Sequence, residues 1–135
     1  MIVSTRGRYA LHVMIALAKH GKDEFVPLKE IAEEQSIPHK YTESIMTALV
    51  KAGLAEGSRG KNGGYRLSRE PKDITAAEIL NETENSFAAV SCTEREATEC
   101  PQAGKCPTLP MWRALDETVN EFLSRYTLAD LIGKK

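Results

Sequence analysis

Apolar residues recur at helical spacing in three segments of the first 52 residues. This spacing predicts helices over 5–19, from Pro27 to Ser36, and from about Pro38 to Ala52. The apolar stripes are Leu11, Met14, Ile15 and Ala18, then Leu28, Ile31 and Ala32, then Ile45, Met46, Leu49 and Val50. Because a tight turn joins the second and third helices, the pattern indicates a helix-turn-helix unit.

The hydrophobic period changes directly after the third helix. Residues 54–58 and 65–68 are short candidate strands, and the run Asn62-Gly63-Gly64 between them is typical of a hairpin turn. A hairpin that follows a helix-turn-helix forms a wing. The predicted fold class is therefore mainly α. It consists of a winged helix-turn-helix domain over 1–82, with the helix-turn-helix over about 28–52 and the wing over about 54–68.

The rest of the chain contains two further helices and a long loop. Thr75 and Glu78 form a capping box, and the helix that they start is expected to end near Asn81. Residues 83–107 have no apolar period. A long helix and a C-terminal tail are predicted over 108–135. The helical part contains a heptad seam, formed by Trp112, Leu115, Val119, Phe122 and Tyr126. Such a seam packs along another helix, either of the same domain or of a second copy.

Composition and charge narrow the class of protein. The chain is 41% hydrophobic and 27% charged, as soluble globular proteins are. Its apolar stretch over 9–18 is far shorter than the roughly 20 residues of a membrane span. Residues 1–72 contain 12 Lys and Arg against 8 Asp and Glu, a net charge of +4, and the remainder contains 6 against 11, a net charge of −5. We expect a cytosolic protein whose basic first half meets a polyanion.

Several polar side chains of the winged helix are candidates for DNA binding. The early outward positions of the third helix, which would face base edges or phosphates in a major groove, are His39, Lys40, Thr42 and Glu43. The wing loop offers Arg59 to a narrow minor groove, and Lys61 beside it. Arg6 and Arg8 lie near the start of the first helix, where free N–H groups favour a phosphate. Together these residues predict a protein that binds double-stranded DNA.

The three cysteines lie in the loop between the last two predicted helices. Cys92, Cys100 and Cys106 have the spacing C-x7-C-x5-C, and proline follows the last two. An odd number of cysteines in a reducing compartment disfavours disulfides. Zinc normally needs a fourth ligand, and the second half of the chain has no histidine. The spacing favours a metal or cluster site over inert thiols, and it leaves iron–sulfur ligation, a zinc site that stabilises structure, and a metal-free thiol redox switch as alternatives.

The remaining histidines do not indicate an enzyme. His12 is expected to pack among apolar residues of the first helix, and His20 lies at its end, where a cation is favourable. Neither is spaced with an acid and a nucleophile as in a catalytic triad. No glycine loop has phosphate-binding spacing, so we expect no enzymatic activity.

Three motifs carry a resemblance to one family. The segments STRGRYAL (4–11), IPHKYTE (37–43) and SRGKNGGYRL (58–67) resemble the Rrf-two family of winged-helix transcription regulators, of the IscR and NsrR types. Tyr41 belongs to the second motif and is grouped with the DNA-binding candidates. The resemblance covers nearly the whole chain.

The resemblance implies a cofactor, a partner and roles for single residues. It implies that the three cysteines hold a 2Fe–2S or 4Fe–4S cluster whose state controls DNA affinity. If the protein ligates one iron incompletely, we expect oxygen or nitric oxide to attack at that iron. It also implies a homodimer on a palindromic operator, with the last long helices crossing. Arg59 resembles the wing arginine that enters the minor groove, and Glu43 resembles a glutamate that discriminates between operators.

The chain departs from the family pattern at two ligand positions. IscR-type members have a histidine three residues after the third cysteine, where this chain has Leu109, and NsrR-type members use an aspartate where it has Arg8. The fourth ligand is therefore left open. The candidates are a partner residue, a small-molecule thiol, water, or a loop carboxylate from Glu94, Glu96 or Glu99.

Overall fold

The computed structural model describes residues 3–61, 63–84 and 106–133. Along the described chain the elements are α1 (Thr5–His20), α2 (Leu28–Gln35), α3 (His39–Lys51), β1 (Ala55–Ser58), β2 (Gly64–Leu67), a 3-10 turn (Pro71–Asp73), α4 (Ala76–Thr83), α5 (Leu109–Ser124) and α6 (Leu128–Gly133). The predicted mainly helical fold, with a two-stranded hairpin after a helix-turn-helix, is confirmed. None of the helices in these ranges is long and apolar enough to cross a membrane.

Helix α1 lies at the centre of the core. Val13, Met14 and Leu17 are fully buried on it, and α2, α3, α4 and α6 all pack against it. Of the predicted stripe, Met14 and Ala18 are buried, whereas Leu11 and Ile15 are only partly buried. Two further expectations are wrong. His12 is exposed instead of packed, and Val50 of α3 is 37% exposed instead of inward.

A left-handed residue makes the turn between α2 and α3. Ser36 has a φ of 55°, and its N–H donates to the carbonyl oxygen of Glu33 at 3.2 Å. The next residue, Ile37, is buried and donates its N–H to Ala32. Pro38 then takes the N-cap position of α3. The turn is therefore fixed by one αL residue and one buried apolar anchor, which sets the angle at which α3 leaves α2.

The wing is attached to the helical core by a backbone bridge. Strands β1 and β2 are antiparallel, with Glu56 opposite Arg66. Val26, in the α1–α2 connection, exchanges two N–H···O bonds of 2.8 Å with Tyr65. Gly64, with a φ of 151°, lies so close to the carbonyl of Val26 that a Cβ would overlap it. Glycine is required here because the connection and the wing approach each other backbone to backbone.

The C-terminal tail contains helix α6, which the hydrophobic pattern did not predict. Its start is capped reciprocally. The Thr127 hydroxyl accepts from the N–H of Asp130 at 3.2 Å, and an Asp130 carboxylate oxygen accepts from the N–H of Thr127 at 3.0 Å. Leu128 is fully buried, and its N–H donates to the carbonyl of Ile74. The helix is short, and its stability comes from this packing against the winged-helix core.

The pair of His20 and Glu34 generates a pH-dependent prediction. His20 Nε2 lies 3.0 Å from Glu34 Oε2, and this hydrogen bond raises the pKa of His20 above 6.5. Because the folded-state pKa is raised, the stabilisation is fully present below the unfolded value and is lost as the pH rises through the folded value. His20→Gln should lower the free energy of unfolding by about 0.5 kcal/mol at pH 6 and by less at pH 9. Urea denaturation at fixed protein concentration measures this difference. An equal loss at both pH values would contradict the assignment.

Candidate DNA-binding surface and cysteine site

Helix α3 presents one polar face outside the core. Ile45 and Leu49 are fully buried on the opposite side. The outward residues share one side of the helix and line a groove beside Arg6 of α1. We call them the α3 face: Lys40, Glu43, Ser44, Thr47 and Lys51. Apolar burial on one side therefore determines which polar residues are presented on the other.

Arg6 is held against the α3 face. Its Nη1 atom donates to Ser44 Oγ at 2.9 Å, and Nη2 lies 3.5 Å from the Ser44 carbonyl oxygen. The guanidinium of α1 is thereby positioned in the groove, beside Lys40 and Glu43. The structure thus brings together three of the predicted DNA-binding residues. Arg8 is exposed but does not line this groove.

The wing forms the second part of the surface. Arg59 is exposed and lines a cleft between the wing and α3, together with Thr47, Val50 and Tyr65. Lys61 is also exposed in the wing loop, whereas Asn62 lies outside the described residues. A cation at the wing and a polar helix face beside it are the two elements that a winged helix brings to adjacent grooves of DNA.

Three residues of the IPHKYTE motif have different environments. His39 is exposed at the first position of α3. Thr42 is fully buried, and its hydroxyl donates to the carbonyl of Pro38 at 3.0 Å, so the expectation that it faces DNA is wrong. Tyr41 is half-buried, and its ring packs edge-on against Tyr9 at 5.4 Å between centroids. The residue packs α3 against α1, which limits how much of its side chain is available to a ligand.

The N-terminus of α1 is already occupied by a carboxylate. The Ser4 side chain accepts from the N–H of Gly7 at 3.0 Å. Glu84 Oε1 in turn accepts from the Ser4 N–H at 3.0 Å and from the Ser4 hydroxyl at 2.9 Å. The expectation of open N–H groups for a phosphate is therefore wrong for Ser4 and Gly7. Sequence reasoning missed Glu84 because 80 positions separate it from its partner.

Sequence reasoning also missed three members of the α3 face. Ser44, Thr47 and Lys51 line the same groove as Lys40 and Glu43. Their helical spacing from Lys40 (four, seven and eleven positions) was a usable signal. The predicted outward positions lie only at the start of the helix, so the prediction does not extend to these three residues.

Cys106 lies just before the start of α5. Its Sγ atom is 3.2 Å from Thr108 Oγ1, and the residue is a partly exposed free thiol. The hydrogen bond to the Thr108 hydroxyl, followed by backbone N–H groups of Thr108 and Leu109, lowers the pKa of this thiol, while desolvation opposes the shift. Such an environment favours thiolate, the form that binds metals.

The other predicted ligands have no described position. Cys92 and Cys100, like Glu94, Glu96 and Glu99, lie outside the described residues. Within residues 3–61, 63–84 and 106–133 no three His, Cys, Asp or Glu side chains are grouped so as to hold a metal, and those ranges contain a single cysteine. Leu109, which occupies the IscR-type histidine position, is buried.

A helix-turn-helix with a two-stranded wing and a polar, partly cationic face is the structure of a winged-helix DNA-binding regulator. The family model Rrf2, described as an iron-dependent transcriptional regulator, matches residues 3–134. The chain belongs to this family, which is the Rrf-two family that its motifs indicated. Since its relatives are transcriptional regulators, the prediction that the protein is not an enzyme is confirmed as well.

Relatives and solved structures agree with this assignment. The transcriptional regulator IscR of Yersinia pseudotuberculosis is 34% identical over 135 residues, which are all of this chain and 81% of the relative. The structure of IscR from T. potens has a TM-score of 0.76 at 34% identity, covering 98% of this chain and 86% of that one. CymR, the global cysteine regulator of B. subtilis, has a TM-score of 0.77 at 34% identity, covering 100% and 98%.

The two parts of the surface generate different DNA-binding predictions. Lys40→Ala should weaken binding to all sequences and reduce the slope of log affinity against log salt by about one, because it removes a phosphate contact. Arg59→Ala should weaken most the binding of sites with a narrow minor groove. Fluorescence anisotropy with duplexes of both kinds, over a series of salt concentrations, measures both effects. Unchanged affinity of Arg59→Ala on every duplex would contradict the role given to the wing.

Proposed function

We propose that this protein is a homodimeric transcription regulator whose operator affinity is controlled by an iron–sulfur cluster, 2Fe–2S or 4Fe–4S. The observation that carries the proposal is the match of residues 3–134 to the Rrf2 family model, described as an iron-dependent transcriptional regulator, in a chain whose Cys106 lies beside Thr108 at the start of α5. The protein would act in the cytoplasm on double-stranded operator DNA. Oxygen or nitric oxide at the cluster would be the signal.

The described donor fits such a cluster. The hydrogen bond between Cys106 Sγ and Thr108 Oγ1 lowers the pKa of this thiol and so favours the thiolate, and hydrogen bonds to a cysteine sulfur are among the features that tune clusters. Cys92, Cys100 and Cys106 would hold the cluster, which supplies a centre that reacts with redox-active gases. Buried Leu109 has no ligating atom, so the fourth ligand would come from elsewhere. A centre that the protein ligates incompletely would be open to such gases.

The homodimer is proposed from the uncovered face of α5. Met111, Leu115 and Phe122 are 54%, 41% and 51% exposed, and their spacing places them on one side of the helix. Asn120, on the other side, accepts a hydrogen bond from Asn81 of α4 at 3.1 Å. The helix thus packs on its own domain with one face and leaves an apolar stripe for a second copy.

The predicted heptad seam is divided between these two faces. Leu115 and Phe122 belong to the exposed stripe, whereas Trp112, Val119 and Tyr126 are half-buried. Met111 belongs to the stripe although the seam did not include it. A stripe of this kind fits two α5 helices that cross, because crossing helices contact through a narrow band of side chains.

DNA recognition would use the α3 face and the wing of both copies. Two α3 helices about one DNA turn apart read the half-sites of a palindrome, so a change in their separation changes affinity. Lys40 and Arg6 would contact phosphates, and Arg59 would enter the minor groove. Glu43, exposed between cations, would accept from a cytosine amino group and disfavour other bases. The cluster would change the geometry through α5, which begins at the cysteine site and forms the dimer.

One observation favours a second candidate function, a regulator that senses thiol chemistry without a metal. CymR structures, including an oxidised form from Staphylococcus aureus with a TM-score of 0.74 at 31% identity, have the same fold. A partly exposed thiol with a lowered pKa is also suited to oxidation. A zinc site that stabilises the loop is the remaining alternative. Metal content distinguishes all three.

Anaerobic purification tests the cofactor. We expect brown protein with visible absorption that contains iron and sulfide, and loss of both on Cys106→Ala, because a thiolate ligand is removed. Chemical iron and sulfide assays on the same samples measure the content. Colourless protein with stoichiometric zinc would support the zinc alternative. Protein that has no metal and cannot be reconstituted, yet loses DNA affinity reversibly with peroxide, would support the thiol switch.

The dimer is tested at the exposed stripe of α5. Phe122→Glu should convert the protein to a monomer, because the substitution buries a charge in the proposed interface but leaves the monomer core intact. Analytical ultracentrifugation measures the mass, and circular dichroism verifies folding. Val50→Glu, which adds the same charge at an exposed apolar residue of α3, is the matched control and should remain dimeric. A dimer in both variants would contradict the use of this face.

A further inference from the structure

The hydrogen bonds of Glu84 connect the end of α4 to the DNA-binding surface. Its carboxylate accepts from both the N–H and the hydroxyl of Ser4, the N-cap residue of α1. Helix α1 has no acidic residue of its own in its first turn. Glu84 therefore supplies, from a distant part of the chain, the negative charge that a helix N-terminus favours.

The chain makes room for this carboxylate at Gly7. Gly7 is buried in the first turn of α1, and a Cβ there would overlap the Glu84 carboxylate. Glycine inside a helix is unfavourable relative to alanine. The close approach of Glu84 explains why glycine occupies position 7, because a larger side chain there would displace the carboxylate from Ser4.

The same turn of α1 carries Arg6, whose guanidinium donates to Ser44 on the α3 face. The contacts thus form a continuous series from Glu84 to Ser4, along one helical turn to Arg6, and from Arg6 to α3. Residue 84 is directly followed by the part of the chain that contains Cys92 and Cys100, and Cys106 lies at the far end of that part.

We propose that Glu84 is a positioning residue for DNA binding, which holds the first turn of α1 so that Arg6 stays against Ser44 in the groove. The inference rests on the proposed DNA-binding function and gives that surface a point of regulation. Displacement of the chain at residue 84 removes the acceptor from Ser4 and releases Arg6. The step needs no contact between Glu84 and DNA.

Two variants remove the contact in different ways. Glu84→Ala deletes the carboxylate, and Gly7→Ala displaces it without changing any charge. Each should weaken binding about tenfold, and the double variant should be no weaker than either, since both remove one contact. Gly7→Ala distinguishes a loss of positioning from a loss of helix stability. Alanine is a better helix former than glycine, so weaker DNA binding by this variant would not result from a lower helix propensity of α1. Glu82→Ala, an exposed glutamate of the same helix, is the matched control and should bind within about twofold of the wild type.

The measurement uses the anaerobically purified protein, with the metal that it retains, and a duplex that the wild type selects from a random-sequence library. Circular dichroism verifies folding of every variant. Glu84→Gln retains an oxygen that accepts both bonds and should bind within about threefold of the wild type, so it tests the contact even where Glu84→Ala folds poorly.

Arg6→Ala in both backgrounds provides a readout that a purely structural role would not change. If Glu84 acts through Arg6, the loss caused by Arg6→Ala should fall from about tenfold in the wild type to about threefold in Glu84→Ala. Equal losses in both backgrounds, or wild-type affinity of Glu84→Ala and Gly7→Ala, would overturn the inference and leave the DNA-binding function intact. Failure of the wild type to select any duplex would overturn both.

Discussion

The architecture depends on the burial of α1 by elements from both ends of the chain. Val13, Met14 and Leu17 have no exposed surface, and α2, α3, α4 and α6 contact this one helix. Each buried side chain of this size contributes about 1.5–3 kcal/mol, so the hydrophobic effect on α1 holds together parts that are distant in sequence. Because α1 also carries Arg6, the element that organises the core contributes to the DNA-binding surface.

The DNA-binding surface follows from this packing. Burial of Ile45 and Leu49 turns the opposite side of α3 outward, and the bridge between Val26 and Tyr65 fixes the wing beside it. Formal charge over the whole chain is only −1, so its distribution decides where a polyanion can bind. In the proposed binding mode Glu43, which lines the groove with Arg6 and Lys40, would add selectivity by accepting a hydrogen bond from a cytosine amino group.

The segment that contains Cys92 and Cys100, which we propose to be regulatory, follows Glu84 and precedes Cys106 in the sequence. Glu84 contacts the first turn of α1, and Cys106 precedes α5, whose exposed stripe is proposed to form the dimer. In the proposed mechanism the cysteines would influence both the position of Arg6 within one copy and the separation of the two α3 helices. Both effects act through rigid helices, and no mobile domain is required.

The sequence by itself determined the elements whose signals are local. Apolar periodicity, the Thr75 and Glu78 capping box and the glycine-rich turn predicted the winged helix, and motif resemblance predicted the family. Tertiary structure alone decided which faces are covered. It exposed His12 and Val50, buried Thr42, divided the α5 seam, stabilised α6 through Leu128 and placed Glu84 on Ser4. The physical reason is that hydrogen bonds within one turn and hydrophobic spacing are encoded by neighbouring residues. Burial and long-range contacts depend on what the remaining chain places against each face.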